Sequence, residues 1–226
     1  MRTFIHIGQH KTATTSIQKY LESNRISYIK SGLYFPDSLM GNKKPNHFLL
    51  NVVSLNRDRF STKKIKLLQT KPKSYFAKLP QNLNKSIERH YKNAKELHCK
   101  DIVWSNEGLY LLNSIEEYTR LKDLFSNYSN EIVVICCFRD KSSYQLSYKK
   151  QLMKNGFNLS TNSDSYRYLE NDSWLLNYDN KKDMLRSVFK DKVLFLDYNP
   201  EDMITDFLYA IGYDTVGSTD VRLNKT

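Results

Sequence analysis

Cysteine is scarce in this sequence, and the little there is forms no pattern. The three cysteines are Cys99 and the adjacent pair Cys136 and Cys137, with neither a Cys-x-x-Cys spacing nor a His/Cys ligand spacing. That excludes a disulfide-stapled scaffold and a zinc-type centre, so buried thiols in a reducing compartment are expected and no metal site is. Long apolar runs are missing too, none approaching the roughly 20 residues that span a bilayer. The first residues lack a charged region followed by an apolar one, so no secretory signal is read. The expected location is cytoplasmic, with the inner membrane face as a peripheral site. Acidic residues are the minority, 24 Asp and Glu against 35 Lys and Arg, for a formal net charge of +11. Such a balance suits an anionic cofactor, an acidic glycan, a nucleic acid or an anionic membrane surface, and does not choose among them. There is no internal repeat and no low-complexity tract.

What is present is enough apolar residue, 40% of 226, to bury a sizeable core as one domain over residues 1–226. The pattern alternates. Strands are predicted near 4–7, 31–36, 101–105, 131–138 and 192–198. Helices are predicted from the first turn to Leu21, over 46–55 behind an Asn46 cap, over 81–99 and 109–125, onward from the Arg139–Tyr148 stretch through Met153 to Gly156, and over 174–189 and 201–211. A polar loop is expected at 37–45 and another at 157–172. This order predicts an α/β protein, three-layer α/β/α with a central parallel sheet. The run at 131–138 is apolar enough to be covered on both faces. The most basic stretch, 56–80, holds Arg57, Arg59, Lys63, Lys64, Lys66, Lys71, Lys73 and Lys78. It reads as an insertion or flap that meets an acidic acceptor, or else as a solvated face.

The chemistry concentrates at the first turn. Phe4, Ile5 and Ile7 form a strand that Gly8 breaks, and Ile17, Tyr20 and Leu21 then recur at helical spacing. Between them Lys11, Thr12, Thr14, Thr15 and Ser16 gather hydroxyls and one cation at a helix N-terminus, where free N–H groups and the dipole favour an anion. A plain helix cap is the structural alternative. The turn is not a Walker A loop, because His10 precedes the lysine and Gly8 stands three residues before it.

The segment resembles the 5′-phosphosulfate-binding loop of the sulfotransferases that use 3′-phosphoadenosine 5′-phosphosulfate (PAPS). That loop reads Lys-[Thr/Ser]-Gly-[Thr/Ser]-[Thr/Ser] after the first strand, matched here by Lys11 to Thr15 with Ala13 in the glycine's place. A second match is Arg139 at a strand end with Ser147 eight residues on, the pair with which the family holds the 3′-phosphate. Gly32-Leu33-Tyr34-Phe35-Pro36, the turn from Ser105 through Glu107-Gly108-Leu109, and Asp206-Phe207-Leu208 with Ile211-Gly212 are similar to stretches of bacterial members, the carbohydrate-type enzymes most of all.

The resemblance implies a P-loop NTPase-like sulfotransferase fold. It also implies a reaction of EC 2.8.2 type with PAPS as donor and no metal. The acceptor is a hydroxyl or amine of a saccharide, glycoconjugate or other small hydroxylated molecule, an anionic one suiting the basic stretch. By that resemblance His10, Lys11, Thr12, Ala13, Thr14, Thr15 and Ser16 hold the phosphosulfate end. Arg139 and Ser147 hold the other end, the guanidinium offering a planar fork to phosphate oxygens. Lys11 neutralises charge on the leaving phosphate. Glu107 is the first choice of general base, His47 the second, and His10 is also within reach. At Ala13, either the turn keeps a negative φ or the cofactor is held differently from the family's. Two readings from other classes stand beside this one. A small-molecule kinase lacks its phosphate loop here. A nucleic-acid-binding protein would use the charge and the 16 Tyr and 11 Phe as stacking platforms, although the aromatics fall at core-type positions, so nucleic acid is not the expected partner.

Overall fold

The computed structural model describes residues 1–41 and 45–217, so the polar loop expected at 37–45 is described only outside residues 42–44. Five strands form one parallel sheet: β1 (Arg2–Gly8), β2 (Leu33–Tyr34), β3 (Asp101–Ser105), β4 (Glu131–Phe138) and β5 (Val193–Asp197), in the order β2-β3-β1-β4-β5. β1, the most apolar opening segment, is central. His6 lies opposite Ser105 and Gly8 opposite Cys137, so the carboxyl ends of β1, β3 and β4 stand side by side.

Period-two alternation sends successive side chains to opposite faces, and both faces are covered. Val133, Ile135 and Cys137 of β4 pack with Phe4 and Val103 under α1 (Thr14–Ser23), α2 (Arg25–Lys30) and α9 (Met203–Ala210). Val134, Cys136 and Phe138 join Ile5, Ile7, Ile102 and Trp104 on the other face. That face is covered by α3 (Leu49–Ser54), α5 (Lys73–Glu96), α6 (Ile115–Ser126), α7 (Lys141–Lys154) and α8 (Tyr178–Phe189), with α4 (Thr62–Thr70) beside α3. The three-layer α/β/α arrangement is as expected. All three cysteines are buried and free, and burial pushes the Cys136 thiol up to about 12. Among the described residues no helix is long and apolar enough to cross a membrane.

Several boundaries differ from expectation. The helix after the basic run begins at Lys73 rather than at residue 81 and runs through Pro80. Pro80 sits on the exposed side, away from buried Leu79, Leu83 and Ile87, so the apolar face that docks α5 is uninterrupted. The basic stretch is thus helical along much of its length, as α4 and the start of α5. The helix expected at 109–125 is two pieces, a 3-10 turn at Glu107–Leu111 and then α6, whose cap Ser114 accepts the Glu117 N–H. Asn46 caps nothing: α3 starts at Leu49, and the Asn46 side chain turns to Glu107 and Asn106 instead.

Candidate functional site

The connection after β1 leads to β2 on one side of the sheet, whereas the connection after β4 leads to β5 on the other. Between these neighbouring strands, at their carboxyl ends, lies the crevice where open α/β sheets take ligands. Residues 9–16 leave β1 into this crevice, Arg139 leaves β4 into it, and Glu107 stands just past β3.

The 9–16 turn is built to expose N–H groups. Its first helical bond runs from the Ile17 N–H to the Ala13 carbonyl, and among the described residues the amides of 10–16 find no protein acceptor. The helix begins without a side-chain cap: its N-cap is Ala13, and the Thr12 hydroxyl donates to the Gln9 carbonyl, 2.7 Å away. No side chain caps α1, which leaves its first N–H groups open to an anion. Ala13 has φ 58° and Lys11 φ 70°, both left-handed, so Ala13 takes the conformation expected of the family's glycine; the negative-φ alternative is overturned. Left-handed residues beside right-handed ones turn successive N–H groups into one concavity. Gly8 lets this turn fold back on the strand, since a Cβ there would stand 2.5 Å from the Thr14 hydroxyl oxygen and 3.0 Å from that of Thr12.

Arg139 meets the turn directly. Its guanidinium donates to the Lys11 carbonyl (3.1 Å) and lies 5.0 Å from the Tyr198 ring. Its backbone is gripped at both ends: the N–H donates to Gln9 Oε1 (2.7 Å), and the carbonyl accepts from the Tyr178 hydroxyl (2.7 Å). Ser147 is half-buried on α7, one helix further on.

Beside this crevice opens a cavity of about 250 Å³ lined by His10, Asn106, Glu107 and Tyr148, with Lys63 and Lys66 among the residues of its outer wall. Asn46 Nδ2 donates to both Glu107 oxygens, at 3.2 and 3.0 Å, and so orients the carboxylate. His10 packs on Tyr148 with ring centroids 4.6 Å apart. Burial pushes the His10 pKa down, the Glu107 charge opposes this, and Lys11 adds to it, so the ring is neutral at pH 7. Gln9 Nε2, His10 Nδ1, the Thr14 hydroxyl and the Tyr148 hydroxyl are buried polar atoms without a protein partner. His10 and Tyr148 line the cavity, and two such atoms there fit a polar ligand in it.

His47 is placed elsewhere. It is fully buried beneath the site, where Nδ1 accepts the Ser105 N–H (2.9 Å) and Nε2–H donates to the Pro36 carbonyl (3.1 Å). Burial pushes its pKa down to about 3 despite that last bond. With both nitrogens engaged, it fixes the ends of β2 and β3, and it is not among the residues lining the cavity. The structure thus brings together Lys11 through Ser16, Arg139, His10 and Glu107, but not His47. Gln9, Asn46, Tyr148 and Tyr178 were not foreseen. Gln9 had the one available signal, a polar residue between the strand and Lys11, while the others carry no local motif.

No protein-family model matches the sequence, and no curated protein matches it. Among solved structures, a sulfotransferase from Alicyclobacillus acidocaldarius superposes with a TM-score of 0.55 at 12% identity, over 100% of this chain and 87% of that one. The sulfotransferase domain from the curacin biosynthetic pathway gives 0.51 at 12% identity, over 96% of this chain and 75% of that one. Their likeness spans nearly the whole of the parallel sheet and its two helical layers, so this chain has the α/β fold of these sulfotransferases.

Proposed function

We propose that this chain is a PAPS-dependent sulfotransferase that acts on a hydroxyl or amine of a saccharide or other small hydroxylated acceptor. The observation that carries the reading is the meeting of Arg139 with the uncapped, left-handed 9–16 turn at the crevice between β1 and β4. Two anion-binding elements there suit a ligand with phosphate groups at both ends. The two fold neighbours, both sulfotransferases, support the same choice.

The donor supplies an electrophilic sulfuryl group, and its transfer leaves adenosine 3′,5′-bisphosphate. The amides of residues 10–16 with the Thr14, Thr15 and Ser16 hydroxyls hold the 5′-phosphate, and the Lys11 ammonium balances charge on its bridging oxygen. Arg139 and Ser147 hold the 3′-phosphate. Glu107, oriented by Asn46, accepts the acceptor's proton at a carboxylate oxygen. His10 lies in the same cavity, and its low basicity makes it a positioning group for the acceptor.

The test is turnover of PAPS with a panel of hydroxylated acceptors by wild type and Glu107→Gln. The variant is expected to lose about 100-fold or more in kcat while binding adenosine 3′,5′-bisphosphate as wild type does. Undiminished kcat in Glu107→Gln would remove Glu107 from the chemistry.

A further inference from the structure

The segment that begins α4 is the most basic wall of the cavity, and its three lysines do different work. Lys64 turns inward. Its ammonium donates to the carbonyls of Asn56 (2.7 Å), Arg57 (3.1 Å) and Arg59 (2.6 Å), using all its donors to pin the chain ahead of the helix. Lys63 and Lys66 line the cavity, the Lys63 ammonium lying 5.6 Å from the Phe48 ring.

The start of α4 is tied by hydrogen bonds to the turn that carries Glu107. Ser61, the cap of α4, donates to Asn51 Oδ1 (2.8 Å), and Asn51 Nδ2 donates to the Gly108 carbonyl (2.7 Å), next to Glu107. Ser61 also accepts the Lys64 N–H, and the first turns of α4 line the cavity through Thr62, Lys63 and Lys66. Tyr148, in the same lining, is 1% exposed and its hydroxyl lacks a protein partner. Lys63, Lys66 and Glu107 thus line one cavity of about 250 Å³.

We infer that this cavity selects an acceptor carrying its own anionic group, a carboxylate, phosphate or sulfate, which Lys63 and Lys66 hold while Glu107 faces the reacting hydroxyl. The inference rests on the sulfotransferase reading of the same site. An acidic acceptor forms charge-assisted bonds with these two exposed lysines of the cavity lining, bonds that a neutral acceptor of the same size lacks. The donor's phosphates belong to the 9–16 turn and Arg139, so the two cations are left for the acceptor.

The experiment uses matched acceptors with PAPS: a methyl hexuronide against the methyl hexoside, and a hexose 6-phosphate against the free hexose. Wild type is expected to favour an acidic member by about tenfold or more in kcat/KM. The K63Q/K66Q variant should bring the pair within about twofold and bind adenosine 3′,5′-bisphosphate, measured by calorimetry, as wild type does. The inference is overturned if neutral members are used equally well, if the preference survives in the double variant, or if an enzyme that binds the bisphosphate uses no acidic member. Wild type that binds no bisphosphate would instead sink the sulfotransferase reading, and this inference with it.

Discussion

At the scale of single residues, the turn after β1 places Ala13 in a left-handed conformation that suits glycine better. Ala13 at φ 58° holds a backbone shape that costs an L-residue about 1–2 kcal/mol, less the extra chain entropy a glycine would lose on folding. Replacing Ala13 with Gly is therefore expected to raise stability by about 0.5–1 kcal/mol, read as a higher urea midpoint at unchanged slope. A lower midpoint would mean that the Ala13 methyl, packed against the α1 and α9 side of the core, matters more than the backbone. The sequence made the composition of this turn legible, because hydroxyls and one lysine between an apolar strand and an apolar helix have few other uses. The conformation at Ala13 was not legible, because alanine carries no signal for positive φ.

Among the elements, strands were read closely where the run is nearly continuous in apolar residues: β4 was expected at 131–138 and spans Glu131–Phe138. Helix starts were read poorly wherever a tertiary bond outweighed a local preference. Asn46 has the side chain of a cap and serves Glu107 instead, and Pro80 suggests a break yet lies on the outer face of α5. Long-range polar pairs were invisible. Glu117, fully buried on α6, pairs with Arg59 ahead of α4 and accepts the N–H groups of Asn56 and Asn113, each at 2.7 Å. This carboxylate ties the basic segment to the core, and removing its charge leaves Arg59 without a counter-ion. Glu117→Gln is expected to cost about 3 kcal/mol in chemical denaturation and to loosen the wall that carries Lys63 and Lys66. A loss below about 1 kcal/mol would show the pair to be screened like a surface bridge.

For the molecule as a whole, buried bases set the response to pH. His6 and His47 are pushed down to about 3 by burial, and His10 and His90 are lowered for the same reason. The folded state keeps these rings neutral, while the unfolded chain takes up protons as pH falls below about 6.5. The unfolded state then binds more protons, so stability drops on acidification from about 6.5 toward 3, by about 1.4 kcal/mol per pH unit for each fully shifted ring. Lys181, buried over Tyr110, Tyr118 and Trp174 and pushed down to about 7, extends the same sign upward: stability rises from about pH 7 toward 10.5. Urea midpoints should therefore climb from pH 4 to about 8, with Lys181→Met flattening the limb above pH 7; above about 8.5 the unfolded chain's thiols ionise while the buried ones keep their protons, and the climb stops. A flat profile between pH 4 and 6.5 would mean that the histidines are not buried as neutral rings.

On the proposed function, residues from the two sides of the β1/β4 crevice hold one ligand with phosphates at both ends. Calorimetric titration of adenosine 3′,5′-bisphosphate, without metal, into wild type, Lys11→Ala and Arg139→Ala tests it most directly. Micromolar or tighter binding to wild type is expected, weakened about tenfold or more by each substitution, which is about 1.4 kcal/mol apiece. No binding to folded wild type, or binding indifferent to both substitutions, would contradict it.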